Sequence, residues 1–328
     1  MKYARYVIAA CMAAIIALAG AAGLVRGAKS QMTGVDRIED VVPDLATTVA
    51  GFENYLLVGS DSREGIDPTD PDFDVIGSAT EVGGQRSDTI MVMRYDTATS
   101  SAALMSFPRD LWVTIGNGEK RNRINSAYNL GAGMLARTIT ANFGIPIHHY
   151  IEVNFQGFKN LVDAIGGVQI CTPHQVRDRQ IGLRLWRGCQ QISGMRALRY
   201  ARSRYYEQRI DGRWQLEGTG DIGRSNRQRD FVAAMLKQTA KHAAANPFGM
   251  GNIISSITGA LQADPSLDIP TFMKRMKPAA DGSIASYPLE VYQDTEAGMA
   301  VVKLGGASQS VIDYFNGTGP APGAVPAG

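Results

Sequence analysis

The chain contains few histidines and cysteines and has a small net charge, and each of these features argues against a class of function. The 328 residues include 4 histidines and 3 cysteines, without a CxxC motif or a Cys/His cluster, so a zinc site is not expected. The formal net charge is only +2, which argues against a nucleic-acid-binding domain because such domains are strongly basic. Apolar residues make up 45% of the chain, and that is sufficient for a large globular core.

One apolar run, from Tyr6 to Val25, is as long as a membrane-spanning helix, which needs about 20 residues. Lys2 and Arg5 precede it. It is either a cleavable signal peptide or an uncleaved anchor with a short cytoplasmic tail. Its length favours the anchor, because the apolar part of a signal peptide usually has about 7–15 residues. We therefore predict a single-pass protein of the cell membrane whose main domain is extracytoplasmic.

Two cysteines remain in the exported part, because Cys11 lies inside the apolar run. In an oxidising compartment Cys171 and Cys189 are expected to form a disulfide, and the alternative is two free thiols. The bond closes a loop of about 18 residues, for which chain entropy predicts about 3 kcal/mol of stabilisation.

Composition and patterning divide the chain into five segments. They are a cytoplasmic tail and transmembrane anchor (1–27), a linker (28–52), a main domain (53–246), an extension of helices and a strand packed on that domain (247–316), and a tail expected to be disordered (317–328).

Strands and helices alternate along the main domain, which predicts an α/β fold with a mixed central sheet flanked by helices. Strands are predicted at Tyr55–Val58, Thr89–Tyr95, Ala102–Phe107, Tyr150–Val153, Val168–Cys171 and Ile284–Pro288, and helices at Ser126–Asn142, from Asn154 to Gly166-Gly167, at Ser193–Ser203 and at Arg224–Ala245. The second and third strands are expected to form a hairpin. Residues 63–85 are rich in Asp, Pro and Gly and are interpreted as a long surface loop.

Two acidic residues adjoin the ends of predicted strands. Asp61 follows the first strand, and Asp88 precedes the second. If those strands are neighbours, the two carboxylates approach each other, and a divalent cation such as Mg²⁺ relieves their repulsion while binding substrate phosphate oxygens. In the alternative interpretation, Asp61 caps a turn and Asp88 pairs with Arg86 at the surface.

Arginines recur at the ends of other predicted elements. Arg109 follows a strand that ends at Pro108, and Arg202-Ser203-Arg204 closes a helix, where arginine also compensates the helix dipole. On the last long helix, one stripe changes from Arg224 and Gln228 to Phe231 and Met235. The stripe is typical either of a phosphate site that continues into an apolar pocket for a lipid tail or of ordinary core packing.

Seven ordered blocks between Asn54 and Ala245 resemble the LytR-CpsA-Psr family. They are Gly59-Ser60-Asp61-Ser62-Arg63, Arg86-Ser87-Asp88-Thr89, Ser106-Phe107-Pro108-Arg109-Asp110, Arg123-Ile124-Asn125-Ser126-Ala127-Tyr128, Asp163-Ala164-Ile165-Gly166-Gly167-Val168, Ala201-Arg202-Ser203-Arg204 and Asp221-Ile222-Gly223-Arg224-Ser225-Asn226-Arg227-Gln228. Members of that family have an N-terminal transmembrane helix and transfer glycopolymers from a polyprenyl-pyrophosphate carrier to peptidoglycan.

The resemblance implies a role for each matching position. Asp61 and Asp88 hold Mg²⁺ or Mn²⁺; Arg86, Arg109, Arg202 and Arg204 grip the pyrophosphate; Asp221, Arg224 and Gln228 complete the polar wall; Arg63, Arg123, Asn125 and Arg227 match further substrate-binding positions. Two departures are visible: Arg123 stands where the family often has lysine, and the loop from Glu64 to Gln85 is longer than in many members.

The predicted function is a metal-dependent phosphotransferase that joins a glycopolymer to peptidoglycan through a phosphodiester and releases polyprenyl phosphate. A pyrophosphatase and a non-catalytic binder of the same lipid are the alternatives. No histidine lies in a motif, so Asp221 is the candidate general base. Arginine accounts for 24 of the 33 basic residues; together with the disulfide this indicates an actinobacterial source of high GC content, which favours arabinogalactan as the glycopolymer.

Overall fold

A mixed sheet of seven strands forms the centre of the protein. The computed structural model describes residues 35–47, 51–60, 87–218, 223–228, 230–232, 234, 235, 238, 261–268, 272 and 284–323, with Asp88 described by its backbone alone. The predicted anchor, the predicted 63–85 loop and the site residues Asp61, Arg63, Arg86 and Asp221 lie outside these residues. Among the described residues, no helix has both the length and the apolar character needed to cross a bilayer.

The elements alternate as the sequence predicts. The strands are β1 (Asp36–Arg37), β2 (Phe52–Ser60), β3 (Ser87–Asp96), β4 (Ser101–Phe107), β5 (Trp112–Thr114), β6 (Arg121–Arg123), β7 (His149–Val153), β8 (Val168–Thr172), β9 (Val176–Asp178), β10 (Leu183–Leu185), β11 (Gly188–Ile192), β12 (Glu207–Ile210), β13 (Arg213–Leu216), β14 (Leu261–Ala263), β15 (Ala285–Tyr287), β16 (Val291–Glu296) and β17 (Met299–Leu304). The helices are α1 (Asn125–Tyr128), α2 (Ala132–Phe143), α3 (Phe155–Ala164), α4 (Gly194–Arg202), α5 (described at 223–228, 230–232, 234, 235 and 238) and α6 (Ser308–Asn316).

The order of strands in the central sheet is β1-β14-β7-β2-β3-β4-β15. Strands β2, β3 and β4 are antiparallel neighbours, whereas β2 and β7 run parallel. The predicted hairpin between β3 and β4 is confirmed. Its turn is closed by Asp96, whose carboxylate accepts hydrogen bonds from the amides of Ala98 and Thr99 at 3.0 and 2.9 Å.

Both faces of this sheet are covered, because side chains alternate along each strand. Tyr55 and Leu57 of β2 pack into a core that includes residues of α3, α4 and α5. Leu56 and Val58 of the same strand face a second core formed with α1, α2 and α6. A strand buried on both faces needs a continuous apolar run, which explains the sequence of β2. The α/β class and the mixed sheet are thus confirmed.

Predicted helix boundaries hold where a cap specifies them. The side chain of Asn154 accepts a hydrogen bond from the amide of Gly157 at 3.0 Å and begins α3. Gly166 and Gly167 follow α3 with φ of 80° and 88°, a left-handed conformation that suits glycine.

The single helix predicted at Ser126–Asn142 is wrong, because the chain forms α1 and α2 with a break between them. Gly131 lies at the break with φ of 112°, which a side chain rarely tolerates. A Cβ at this position would also lie 2.7 Å from Oδ2 of Asp40. The positive φ is therefore the main reason for glycine at this position, because the carboxylate of Asp40 can move.

Several strands of the central sheet come from outside the predicted main domain of residues 53–246. Strand β1 lies in the predicted linker, and β14 and β15 lie in the predicted extension. Sequence patterning missed the small sheet β10-β9-β12-β13, the hairpin β16–β17 and helix α6. Residues 317–323 of the predicted tail are described, and Thr318 and Gly319 donate backbone hydrogen bonds to the carbonyl of Asp313.

Cys171 and Cys189 are bonded in the structure, as predicted. Cys171 of β8 and Cys189 of β11 are directly opposed in an antiparallel pair, with Cα atoms 3.9 Å apart. The bond therefore cross-links the two strands of a ribbon, and α4 follows the end of this ribbon in the chain.

Candidate functional site

The C-terminal end of β2 lies beside the N-terminal end of β3. The side of the central sheet where these strand ends lie is called its edge below. Ser60, the last residue of β2, pairs with Ser87, the first residue of β3, across a register shift that follows Gly59. In the sequence, Asp61 follows Ser60 and Asp88 follows Ser87. The neighbouring strand ends that the metal prediction required are therefore present, although the side chains of Asp61 and Asp88 are not among those described.

Strand β4 brings Arg109 to the same edge. Phe107, at the end of β4, pairs with Ile90 near the start of β3. Pro108 cannot donate a ladder hydrogen bond, so the strand stops there and the chain turns. The side chain of Arg109 is only 10% exposed.

Asp110 holds two of the predicted arginines. Its Oδ2 atom lies 3.2 Å from Nε of Arg109, and its Oδ1 atom lies 3.4 Å from Nε of Arg123. Arg123 also donates from Nη2 to the carbonyl of Ala300 in β17 at 2.6 Å, and the amide of Asn125 donates to the carbonyl of Arg109 at 3.1 Å. The structure thus brings Arg109, Arg123 and Asn125 together, and hairpin β16–β17 supports them.

Arg202 reaches this edge from the end of α4. Strand β7 runs parallel to β2, with Val153 opposite Gly59, so the start of α3 also lies here. The guanidinium carbon of Arg202 lies 5.4 Å from the ring centroid of Phe155, the first residue of α3. Arg202 is almost completely buried, with 2% of its surface exposed.

A buried carboxylate that the sequence motifs do not contain fixes the chain after α4. Oδ2 of Asp178 accepts hydrogen bonds from the hydroxyl of Ser203 at 2.8 Å and from the amides of Arg204 and Tyr205 at 3.1 and 3.0 Å. Three donors on one oxygen hold the backbone of the Arg202-Ser203-Arg204 block in one conformation. Asp178 lies in a different part of the sequence, so no local signal could have identified it.

Helix α5 contributes two further buried arginines, Arg224 and Arg227. Arg227 makes an ion pair with Glu217 and donates from Nη2 to the carbonyl of Ser203 at 2.7 Å. Its guanidinium carbon also lies 4.2 Å from the ring centroid of Tyr206. Arg227 thereby links α5 to the turn that follows α4.

Gln228 joins three of the sequence blocks. Its Nε2 atom donates to the carbonyl of Ala201 in α4 at 3.2 Å. Its Oε1 atom accepts a hydrogen bond from the hydroxyl of Thr89 in β3 at 3.5 Å. Blocks that are separated by more than a hundred residues in the chain therefore meet beside the start of β3.

The arginines at this edge concentrate positive charge in a region of little water. Burying a cation is costly unless anions or polar groups surround it. Guanidinium groups suit phosphate because their planar array of N–H donors matches its oxygens. The arrangement is thus suited to a phosphorylated or pyrophosphorylated ligand.

The apolar half of the predicted stripe on α5 is packed into the core. Phe231 and Met235 are fully buried, and the Phe231 ring centroid lies 5.6 Å from that of Phe158 and 6.5 Å from that of Tyr200. Among the described side chains these residues contribute to core packing, so the lipid pocket stays a prediction.

Glu152 is a second buried acid that sequence reasoning missed. The hydroxyls of Tyr128 and Tyr150 donate to its two carboxylate oxygens at 2.5 and 2.7 Å. Burial raises the pKa of Glu152, although hydrogen bonds from both tyrosines oppose the shift. Glu152 lies opposite Val58 of β2 in the sheet and therefore ties β7 to α1 beside the end of β2.

Metal binding stays a prediction. Within the described ranges, no three or more His, Cys, Asp or Glu side chains form a group that could hold a metal ion. The two predicted ligands are not among these side chains, since Asp61 lies outside the described residues and Asp88 is described by its backbone alone.

The fold and the site define an α/β protein that gathers arginines at one edge of a mixed sheet. A sequence profile of the LytR_cpsA_psr family matches residues 26–314. The chain belongs to the LytR-CpsA-Psr family.

Known proteins resemble the chain in sequence and in fold. It is 32% identical to the probable cell wall biosynthesis protein LcpB of Corynebacterium glutamicum over 267 residues, which cover 80% of this chain and 61% of LcpB. It is 33% identical to the polyisoprenyl-teichoic acid–peptidoglycan teichoic acid transferase TagU of Bacillus anthracis over 173 residues, 52% of each chain. The chain thus spans between half and two thirds of these relatives.

The solved LytR-Csp2A-Psr enzyme from Actinomyces oris has the same fold. The TM-score is 0.62 at 21% identity, and the match covers 86% of this chain and 96% of that one. At this identity the likeness establishes the fold alone.

Proposed function

We propose that the protein is a phosphotransferase that attaches a polyprenyl-pyrophosphate-linked glycopolymer to peptidoglycan. One observation carries the proposal: residues of six sequence blocks converge at one edge of the sheet. They include Ser60, Thr89, Arg109, Arg123, Arg202 and Gln228. The names of LcpB and TagU, a cell wall biosynthesis protein and a teichoic acid transferase, support the same conclusion.

The arginines would bind the pyrophosphate and stabilise the charge that develops on it. A hydroxyl of peptidoglycan attacks the phosphorus nearer the sugar, and a new P–O bond forms. The bond from that phosphorus to the bridging oxygen breaks, and polyprenyl phosphate leaves with the bonding electrons. The hydroxyl proton passes to a base, for which Asp221 is the candidate. Donors that are already aimed at the phosphoryl oxygens favour the transition state over the bound substrate.

Asp61 and Asp88 are proposed to hold Mg²⁺ or Mn²⁺. The fit is supported by the pairing of Ser60 with Ser87, which brings the chain positions of both carboxylates to one strand end. Hard oxygen donors are the ligands that these cations prefer. When bound, the cation would neutralise negative charge on the pyrophosphate.

We further propose that residues 6–25 anchor the protein in the cell membrane, with the catalytic domain outside the cytoplasm. The polyprenyl chain would then remain in the bilayer or in an apolar pocket beside α5 while its pyrophosphate reaches the arginines. Arabinogalactan is the proposed glycopolymer, on the basis of the arginine-rich composition and the disulfide.

Transfer can be measured with the full chain in detergent, a synthetic polyprenyl-pyrophosphate saccharide, Mg²⁺ and a peptidoglycan oligosaccharide. Acceptor-dependent release of polyprenyl phosphate, with a phosphodiester in the product by mass spectrometry, is the expected result. Arg202→Ala should lower the rate by about 100-fold or more, as for loss of one transition-state donor. Arg187→Ala, at an exposed arginine, is the matched control.

Two outcomes would overturn the proposal. Release that is equally fast without acceptor identifies a pyrophosphatase. Binding of the lipid without release under any condition, or cell-wall ligation that Asp88→Ala leaves unaltered, identifies a non-catalytic binder.

A further inference from the structure

A separate cavity of about 390 Å³ lies in the small sheet β10-β9-β12-β13. Its lining residues are Arg177, Asp178, Arg179, Gly182, Leu183 and Arg184. None of these residues belongs to a sequence block that resembles the family, and three of the six are arginines. The cavity therefore offers a cationic surface that the proposed transfer chemistry does not use.

The arginines of the cavity differ in how firmly they are held. Arg177 is fixed by Glu207, with Nε and Oε2 2.6 Å apart, and it lies 4.0 Å from the ring centroid of Trp214. Arg179 is largely exposed, with 72% of its side chain accessible and Nε 4.0 Å from Oε2 of Glu207. Arg184 is exposed between two buried leucines of β10. Arg179 and Arg184 are thus available for an external anion.

Two residues with exposed aromatic side chains are connected to residues that line the cavity, Trp186 through the chain and Tyr205 through its amide. Trp186, two residues after Arg184, is 69% exposed, and its carbonyl is held by the hydroxyl of Thr172 at 2.8 Å. Tyr205 is 51% exposed, and its amide donates to Asp178. Rings with one apolar face and a polar edge are favoured at binding surfaces, and they can stack on the C–H face of a sugar.

Asp178 connects this cavity to the candidate active site. It lines the cavity, and its Oδ2 atom holds Ser203, Arg204 and Tyr205 through hydrogen bonds. A ligand in the cavity would therefore lie next to the segment that carries Arg202 and Arg204. The cavity is placed to contact the part of a substrate that extends beyond the pyrophosphate.

We propose that this cavity, with Trp186 and Tyr205, is a subsite for a saccharide that carries carboxylate or phosphate groups. The arginines bind the anionic groups, and the aromatic rings stack on the sugar. The proposal rests on the proposed function, because a transferase must hold the glycan of its donor or its acceptor beside the phosphorus. The shared chemistry is an anionic sugar, and its source is either the peptidoglycan acceptor or the glycopolymer donor.

The test is calorimetric titration of the full chain in detergent, without polyprenyl lipid or divalent metal, so that it does not depend on transfer activity. The probes are a muropeptide with free carboxylates, the same muropeptide with its carboxylates amidated, and a phosphorylated disaccharide. Arg184→Ala should raise the dissociation constant of an anionic probe about fivefold, as expected for loss of one exposed charge contact. Trp186→Ala should weaken all probes.

Arg213→Ala, at an exposed arginine of β13, is the matched control and should bind as the unaltered protein does. Preference for the free muropeptide over its amidated form supports the acceptor as the source, and preference for the phosphorylated sugar supports the donor. Equal binding of all three probes, no binding of any, or no effect of Arg184→Ala would overturn the subsite. A chain that binds the probes but fails to transfer would instead contradict only the proposed function.

Discussion

Two buried carboxyl groups show how burial and hydrogen bonds shift the pKa of a residue. Burial raises the pKa of Glu152, and the hydrogen bonds from Tyr128 and Tyr150 do not reverse that shift. Burial also acts on Asp264, but hydrogen bonds from His149, Ser266 and the amide of Tyr150 outweigh it and lower the pKa. The pKa of a buried carboxyl group is therefore raised at one site and lowered at the other.

The raised pKa of Glu152 predicts a dependence of stability on pH. A raised pKa means that the folded state binds the proton more tightly than the unfolded state. The stabilisation of the folded state by this proton is fully present below the ordinary pKa of 4.5, and it is lost as the pH rises through the pKa of the folded state. The free energy of unfolding should fall over that range, and Glu152→Gln should remove this part of the decline. Urea unfolding at a series of pH values measures it, with Glu119→Gln, at an exposed glutamate, as control. Parallel profiles for the unaltered protein and Glu152→Gln would contradict the assignment.

At the scale of elements, Arg94 of β3 adds to the contacts of α6 with the central sheet, where Asn54 of β2 also donates to the carbonyl of Phe315 at 2.8 Å. Arg94 of β3 lies with its guanidinium carbon 3.6 Å from the ring centroid of Phe52 and 4.6 Å from that of Tyr314. Its Nη1 atom donates to the carbonyl of Tyr314 at 2.7 Å. This contact joins the C-terminal helix to a strand that lies more than two hundred residues earlier in the chain.

Replacement of Arg94 by methionine should release α6. The loss of a buried charge-assisted hydrogen bond and two cation–π contacts should cost about 2–3 kcal/mol of unfolding free energy. Denaturant unfolding gives the magnitude, and proteolysis followed by mass spectrometry should show faster cleavage near α6. The matched control is Arg213→Met. An unaltered proteolysis pattern would mean that other contacts hold the helix.

The disulfide between β8 and β11 gives a second prediction at this scale. It closes a separation of 18 residues, for which chain entropy predicts about 3 kcal/mol. Both cysteines are exposed, so Cys171→Ser with Cys189→Ser leaves no buried cavity. The double variant should lose unfolding free energy up to that amount, and a reducing agent should weaken the unaltered protein equally. A double variant as stable as the oxidised protein would show that the ribbon is already rigid without the bond.

At the scale of the whole molecule, the central sheet collects charge from distant parts of the chain at one edge. A ligand that binds only the folded state stabilises it, by about 2.7 kcal/mol at a concentration 100 times its dissociation constant. Inorganic pyrophosphate with Mg²⁺ should therefore raise the melting temperature. Arg204→Ala should reduce this rise and Arg213→Ala should not, and a chelator should reduce it if Asp61 and Asp88 hold the cation. An equal rise in both variants would place pyrophosphate binding elsewhere.

Much of the fold could be predicted because its signals are local. The apolar run of β2, the hairpin of β3 and β4 and the capping residue Asn154 each specify structure within a few residues. Gln228 contacts Ala201 and Thr89 of two other motif blocks, and the roles assigned to the side chains of these blocks stay predictions. The elements that were missed, such as β14 and α6, are short or polar, so their patterns resemble those of loops.

The sequence by itself determined the α/β class, the disulfide partners and the types of side chain that are available to bind phosphate, because these follow from periodicity, composition and the small number of cysteines. Only the tertiary structure decided that Asp178 holds the turn after α4, that Tyr128 donates to the buried Glu152, and that Asp40 lies against Gly131 at the break between α1 and α2. Those features depend on contacts between residues 24 or more positions apart, and such contacts form when packed elements meet, so no local stretch of sequence encodes them.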